Sequence, residues 1–468
     1  MSTAVGGAAD CNCICQQLVP ENNAKLFYIL SWFTDCLLLL IQHWGFLVVV
    51  LNLYLSWTIT SRFHRLRAIK KKYNFNKDPR TYEDMTVDVA QQIEKNLSEW
   101  EMPWLFEFGW LFNFLASASI PILSKTIIQS GHYTHRDPII AQQRQEDTVI
   151  LMSSMMAHPL RSRSSSLVIA RINEHHSFYG RQINSDTVLY LIWLFGWGPV
   201  EMVQKFGWRK LQPFELHAMW IFWRELALRL GCKYVPETVE EMVAWKEAFR
   251  KQEVYPHNDN RIFADSMKDM LLYKVPGFAK GFAFQCILAL LDDEVATACR
   301  WDGLKQEYHP TLRYWIHRLL HVRAFVHRYL TPPRRHPYVR TSYLKNEWGL
   351  YNFDATTYST CPFYVKATFW SRWGPGALLN RARGFALPGP QYFSDGVAWE
   401  SMGARRNKSK QRAAEARVIA QANFLEKAHY GYRALVNFQP EPVVRGLSLG
   451  YGDRANAYGR RHTMPEAA

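Results

Sequence analysis

From Cys36 to Ile59 the chain runs without a single Asp, Glu, Lys or Arg. About twenty apolar residues rising 1.5 Å each are enough to cross the hydrocarbon core of a bilayer, and a helix closes its backbone hydrogen bonds within itself. The run therefore reads as one transmembrane anchor at residues 31–60. A cleaved signal peptide fits less well: Lys25 is the only base before the run, the run is long, and no small-residue cleavage site follows it.

Arg62, Arg65, Arg67, Lys70, Lys71 and Lys72 follow the anchor. This asymmetry places the large C-terminal part on the cytosolic side and leaves residues 1–30 as a non-cytosolic tail. Trp32, Trp44, Tyr54 and Trp57 suit the headgroup level, and residues 61–80 read as a basic linker held by anionic lipid. In the tail, Cys11, Cys13 and Cys15 can oxidise or hold a metal, or they are idle.

The remainder folds in water. With 48% apolar, 15% aromatic and 21% charged residues, general disorder is excluded, and the slightly negative mean hydropathy excludes a bundle of many spans. Eight cysteines in 468 residues are too few for a secreted disulfide scaffold, which suits the reducing cytosol. The +15 net charge gathers beside the anchor and in the C-terminal region, with no recognisable nucleic-acid module. Lipid is thus the expected macroscopic partner, and nucleic acid is not; the oligomeric state is not readable.

From about Tyr82 to Leu330 the apolar residues recur in helical period, so the expected fold class is all-α: a single-pass anchor, then a globular helical domain over 81–400. Asp137-Pro138 and Pro213 read as helix starts, and Gly231 as a stop. The uncharged stretch Phe108–Ser124, broken by Pro121, reads as a buried helix with re-entrant membrane contact as the alternative. From Pro332 to Pro390 the Pro, Gly and aromatic content predicts irregular chain wrapped over the helices, and residues 401–468 a basic helix followed by a disordered end.

No P-loop, dinucleotide fingerprint, nucleophile elbow, H-E-x-x-H or C-x-x-C occurs. Polar residues do fall on apolar helix faces. Ile140, Arg144, Thr148 and Leu151 share one stripe, and Ile169, Ile172 and His176 another, with His175 turned about 100° away. A guanidinium facing inward requires a partner. The plain reading is a buried ion pair for Arg144, a backbone bond for Thr148 and a satisfied core imidazole at His176.

The string that follows resembles a known family. Arg171-x-Asn173-x-x-His176, Asn184-x-Asp186-x-x-Leu189-Tyr190, Pro199, Trp208-Arg209, Glu215 and Trp223, with PFYVKATFWSRWGPGA and ALPGPQYFSDG further on, are similar to fungal ER-bound oxygenases of the mycophenolic acid pathway type and, more distantly, to rubber oxygenases. The likeness covers about Cys36–Gly396. It implies a non-covalent haem b whose iron takes His176 as axial ligand, with Arg144 and Thr148 catalytic on the opposite side, where they meet dioxygen as co-substrate. It implies oxidative cleavage of a carbon–carbon double bond in a lipophilic, prenylated or isoprenoid small molecule at the ER membrane, in secondary metabolism. Neutral imidazole suits iron, and a guanidinium can stabilise charge developing on oxygen. Two departures stand out. Asp147 occupies the position where some rubber oxygenases carry a Lys that closes the iron, and Lys125, Gln129 and His132 stand where an upstream catalytic Glu is sought. Trp193, Trp197, Trp220 and Trp223 are core residues or line an apolar channel.

A rival is His317-x-x-x-His321, two imidazoles on one helix face, with Glu307, His309 and His327 as further ligands of a non-haem metal in an oxygenase or hydrolase. Arg313, Arg318, Arg323 and Arg328 in the same segment favour a solvated or lipid-contacting face instead. A non-catalytic, membrane-tethered haem or lipid carrier is the remaining alternative.

Overall fold

Proline, glycine and capping side chains set the boundaries of the helices. The computed structural model describes residues 28, 30–35, 38, 44–75, 82–131, 138–353, 358–403 and 408–427. Cys11, Cys13, Cys15, Asp137 and the chain beyond Lys427 lie outside them. The protein divides into two units, residues 1–63 and residues 64–468.

In the first unit, helix α1 (Trp44–Arg62) presents apolar side chains outward, Trp44, Leu53 and Trp57 among them. Asn52, Thr60 and Ser61 satisfy themselves on their own helix. Asn52 donates to the Val48 carbonyl at 2.8 Å, Thr60 to Ser56 at 2.8 Å and Ser61 to Trp57 at 2.6 Å. That is the arrangement a lipid-exposed segment requires. Among the described residues one helix, beginning at Trp44, is long and apolar enough to cross a membrane.

The second unit is helical, and among its described residues the β pairing is confined to isolated bridges, such as Thr341 with Phe353. Its helices in chain order begin with α2 (His64–Tyr73), α3 (Val87–Lys95), α4 (Pro103–Ser117), α5 (Pro121–Gln129) and α6 (Pro138–Ala157). There follow α7 (Arg163–Tyr179), α8 (Ser185–Phe206), α9 (Pro213–Arg229), α10 (Val239–Glu253), α11 (Asn258–Leu271), α12 (Gly277–Leu290), α13 (Asp293–Ala298) and α14 (His309–Tyr329). The short helices α15 (Phe369–Trp373) and α16 (Pro375–Ala382) precede the last, α17 (Lys408–Lys427).

Helix α8 lies at the centre, packed by α4 and α9. The approach is close because the crossing residues are small: a Cβ built on Gly109 would lie 2.7 Å from the Pro199 Cα, and one on Gly196 would lie 2.5 Å from the Trp223 ring. Pro199 sits inside α8 without a backbone N–H to offer. The Phe108–Ser124 stretch is a broken pair, α4 and α5, meeting at 89° across Pro121. Leu105, Phe106, Phe112 and Leu115 are buried in the core, so α4 is a core element of this unit.

Two segments set apart by composition join the helical body. In the basic stretch after the anchor, Leu66 is buried, Lys70 donates to Gln212 at 3.1 Å and Phe75 packs on Phe214 with ring centroids 5.0 Å apart. The described part of residues 401–468, α17, lies along α7 and buries Ala414, Val418, Ala422 and Leu425, spaced four, four and three. Arg417 pairs with Glu174 at 2.6 Å. From Pro332 to Pro390 the described chain is irregular apart from the short α15 and α16, and it covers the helices: Phe353, Cys361, Phe363 and Val365 are buried.

Candidate active site

Helix α7 starts at the Ser162 cap and ends at Gly180, whose φ of +53° is a conformation that side chains rarely adopt. Near its C-terminal end stand His175 and His176, and inwardness does not separate them as the helical wheel predicts. His175 is the more covered, because the loop at Gly403 closes on it: a Cβ on Gly403 would lie 2.2 Å from its ring. His176 keeps part of its surface open, yet its Nδ1 is buried without a hydrogen-bond partner among the described residues. Burial, and then the charge of Arg144, pull its pKa down to about 4. The ring is therefore neutral at physiological pH, with nitrogen lone-pair density to offer.

Arg144 lies on α6, half-buried, and its guanidinium makes no hydrogen bond or ion pair among the described residues. Thr148, one turn on, donates to the Arg144 carbonyl at 3.2 Å. So the plain expectation holds for Thr148, while Arg144 and His176 face one another's field as two groups without partners. An unengaged imidazole and an unpaired guanidinium are costly to bury unless something completes them. A neutral imidazole with a donor cation near it is a set that would suit a haem, His176 offering the iron a ligand and Arg144 a nearby hydrogen-bond donor.

Asp147 holds the wrapping segment. The Tyr364 hydroxyl donates to its Oδ1 at 2.5 Å. Burial pushes the Asp147 pKa up, against that hydrogen bond and the charges of Arg144 and Arg171. Its place in the motif is thus structural.

Beside Thr148 opens a cavity of about 300 Å³, walled by aromatic residues of α4, Trp104, Phe108, Trp110 and Phe114, with Phe195 from α8. Thr148 lines it; Arg144 and His176 do not. Glu107, Glu146, Tyr338 and Arg340 are among its other wall residues, and the pKa of Glu146 rises to about 7 through burial, against a 3.0 Å hydrogen bond from Gln142 and the charge of Arg340. Sequence reasoning sought such an acid upstream and missed it here, two residues before Thr148. The Trp104, Phe108, Leu111, Phe114 spacing was the available signal for the aromatic wall. Trp193, Trp197, Trp220 and Trp223 are not in that wall: the first two stack at 5.3 Å, Trp220 donates to Glu237 at 2.9 Å and Trp223 packs on Gly196.

The rival histidines do not assemble. His317 and His321 lie against the Phe206 ring, at 5.3 and 5.5 Å, and His327 Nδ1 bonds Thr331 at 2.7 Å. Among the described residues no three His, Cys, Asp or Glu are grouped to hold a metal ion.

The other motif residues mostly hold the scaffold together. Arg171 donates to the Met402 carbonyl at 2.7 Å, Asn173 to Arg229 at 3.0 Å, and Asn184 caps α8. Arg209 is buried between two carboxylates, 2.8 Å from its Nε to Glu101 and 2.7 and 2.6 Å from its terminal nitrogens to Glu215. Burial opposes its charge, but the two partners outweigh that and raise its pKa.

Residues 161–325 match the family described as ER-bound oxygenase mpaB/B'/Rubber oxygenase, catalytic domain. Over this segment the chain is similar to that oxygenase family. It is 27% identical over 367 residues to the ER-bound oxygenase mpaB' of Penicillium brevicompactum, covering 75% of this chain and 85% of the relative. To mpaB of the same organism it is 25% identical over 346 residues, 70% and 79% of the two chains, and to mpaB of Penicillium roqueforti (strain FM164) 28% over 272 residues, 55% and 90%. His176 lies inside the matched segment; Arg144 and Thr148 precede it.

Proposed function

We propose that this protein binds haem b through His176 and, with dioxygen as co-substrate, cleaves a carbon–carbon double bond in a lipophilic, prenylated small molecule. The observation that carries the reading is the neutral, unpartnered imidazole of His176 within the field of an unpaired Arg144; one turn along α6 from Arg144, Thr148 lines a separate apolar cavity. A bound haem supplies the iron at which dioxygen is activated. Arg144 N–H groups donate toward oxygen as negative charge develops, and the Thr148 hydroxyl orients a neighbouring oxygen or water. Glu146, poised near neutrality, holds or releases a proton at its carboxyl oxygen. The aromatic wall excludes water and takes an isoprenoid chain. The apolar helix beginning at Trp44 and the basic residues after it support a single-pass anchor with the catalytic unit in the cytosol, and relatives named ER-bound support the ER membrane.

The test is a pyridine haemochrome assay on detergent-purified protein. Wild type carries haem, His176→Ala loses it, and Arg144→Ala keeps it while oxygen uptake falls roughly a hundredfold. A colourless, iron-free wild type would end the proposal.

A further inference from the structure

Helix α14 buries Leu320 and Ala324 against the body, where it packs on α12 and α8. Its opposite face is apolar and bare. Tyr314, Trp315, Leu319, Val322, Phe325 and Val326 lie there, with Leu319 65% and Phe325 58% exposed. The spacing 315, 319, 322, 326 makes a single stripe along three turns. Water is a poor neighbour for such a stripe, since removing large apolar side chains from water is favourable.

We propose that this face of α14 lies in the surface of the bilayer. The charge pattern selects lipid over other occupants. The helix contains no Asp or Glu and carries Arg313, Arg318, Arg323 and Arg328; Arg313 is paired with Asp293 at 3.0 Å, and the others complement anionic headgroups while Trp315 and Tyr314 suit the interfacial depth. A second copy laid on the same face would bring both sets of arginines together with no carboxylate from either helix between them. The neighbouring α12 adds two more exposed aromatic residues, Phe278 and Phe282.

The face adjoins the cavity. The Arg323 guanidinium lies 4.0 Å over the Trp104 ring, and Trp104, 39% exposed, stacks on Phe108 at 4.7 Å and lines the cavity wall. A lipophilic molecule leaving the bilayer beside α14 meets this aromatic rim without crossing water. Delivery of substrate by this route rests on the proposed function; the membrane contact does not.

The test uses the full-length chain with photoreactive benzoylphenylalanine in place of Phe325, Leu319 or, as a control on α10, the exposed Val243, reconstituted into phosphatidylcholine–phosphatidylserine vesicles. Irradiation followed by peptide mass analysis is expected to give about tenfold more lipid adduct at 319 and 325 than at 243. Absence of lipid adducts at both α14 positions, or a covalent dimer there instead, overturns the inference. Haem content measured on the same samples separates the two readings: adducts on haem-free protein leave the membrane face standing and sink the oxygenase, and haem-loaded protein without adducts does the reverse.

Discussion

Replacing Arg209 with Met tests the bolt that joins the start of α4 to the start of α9. Arg209 precedes α9, Glu101 stands just before α4, and Glu215 lies in the first turn of α9, where it also accepts from the Gln212 backbone at 2.8 Å. The three side chains are 5%, 3% and 0% exposed, and their contacts run from 2.6 to 2.8 Å. Removing the guanidinium leaves two buried carboxylates close together without the cation they share, Arg65 acting on Glu101 only through its field. Breaking a buried pair in this way costs about 3–5 kcal/mol. The sign with pH follows. Burial already raises the Glu101 pKa, with Arg209 opposing it, so the variant's Glu101 rises further and protonation relieves the repulsion. The variant is therefore most destabilised at pH 8 and partly recovers toward pH 5. Thermal unfolding of detergent-solubilised protein at the two pH values measures this. A loss under about 1 kcal/mol, or one equal at both pH values, would refute the argument that uncompensated charge is the cause.

Further outcomes follow from single contacts. Gly109→Ala forces a methyl toward the Pro199 backbone and is expected to cost about 1–3 kcal/mol, whereas Gly281→Ala, with nothing within 4 Å, gains about 0.5–1 kcal/mol; paired melting curves decide. Glu94 is fully buried, and burial first of all pushes its pKa to about 8. Its folded pKa is raised, so the stability it contributes is complete below pH 4.5 and lost as pH rises through 8, a span of about 5 kcal/mol. Glu94→Gln should flatten this dependence, and parallel wild-type and variant profiles would count against it. Glu146→Gln is expected to leave haem content unchanged and to abolish an inflection near pH 7 in the oxygen-uptake rate.

Much of this was legible because helices announce themselves. Pro213 and Gly231 bracket α9 as read, and the Arg144–Thr148 stripe lies on one helix as its spacing requires. Periodicity reports which face points inward, not what meets it. It therefore ranked His176 above His175, although the chain near Gly403, remote in sequence, covers His175 more fully. The same limit hid Glu146, which is on a different side of α6 from Arg144 and lines the cavity together with residues of α4. The ordered string from Arg171 to Trp223 carried the family likeness through residues that mostly fasten helices together. It located the scaffold more directly than the chemistry.

The position of α17 bears on how the protein is made. This helix is the last part of the described chain to leave the ribosome, and it lies along α7, the helix of His176, with Arg417 on Glu174 and the Leu425 carbonyl accepting from Arg229 at 3.1 Å. During translation the flank of α7 stays bare until residue 427 has cleared the exit tunnel. Truncation before Lys408, or a bulky fusion placed directly after it, strikes the back of the histidine helix rather than a dispensable end, so a tag for purification belongs beyond that point.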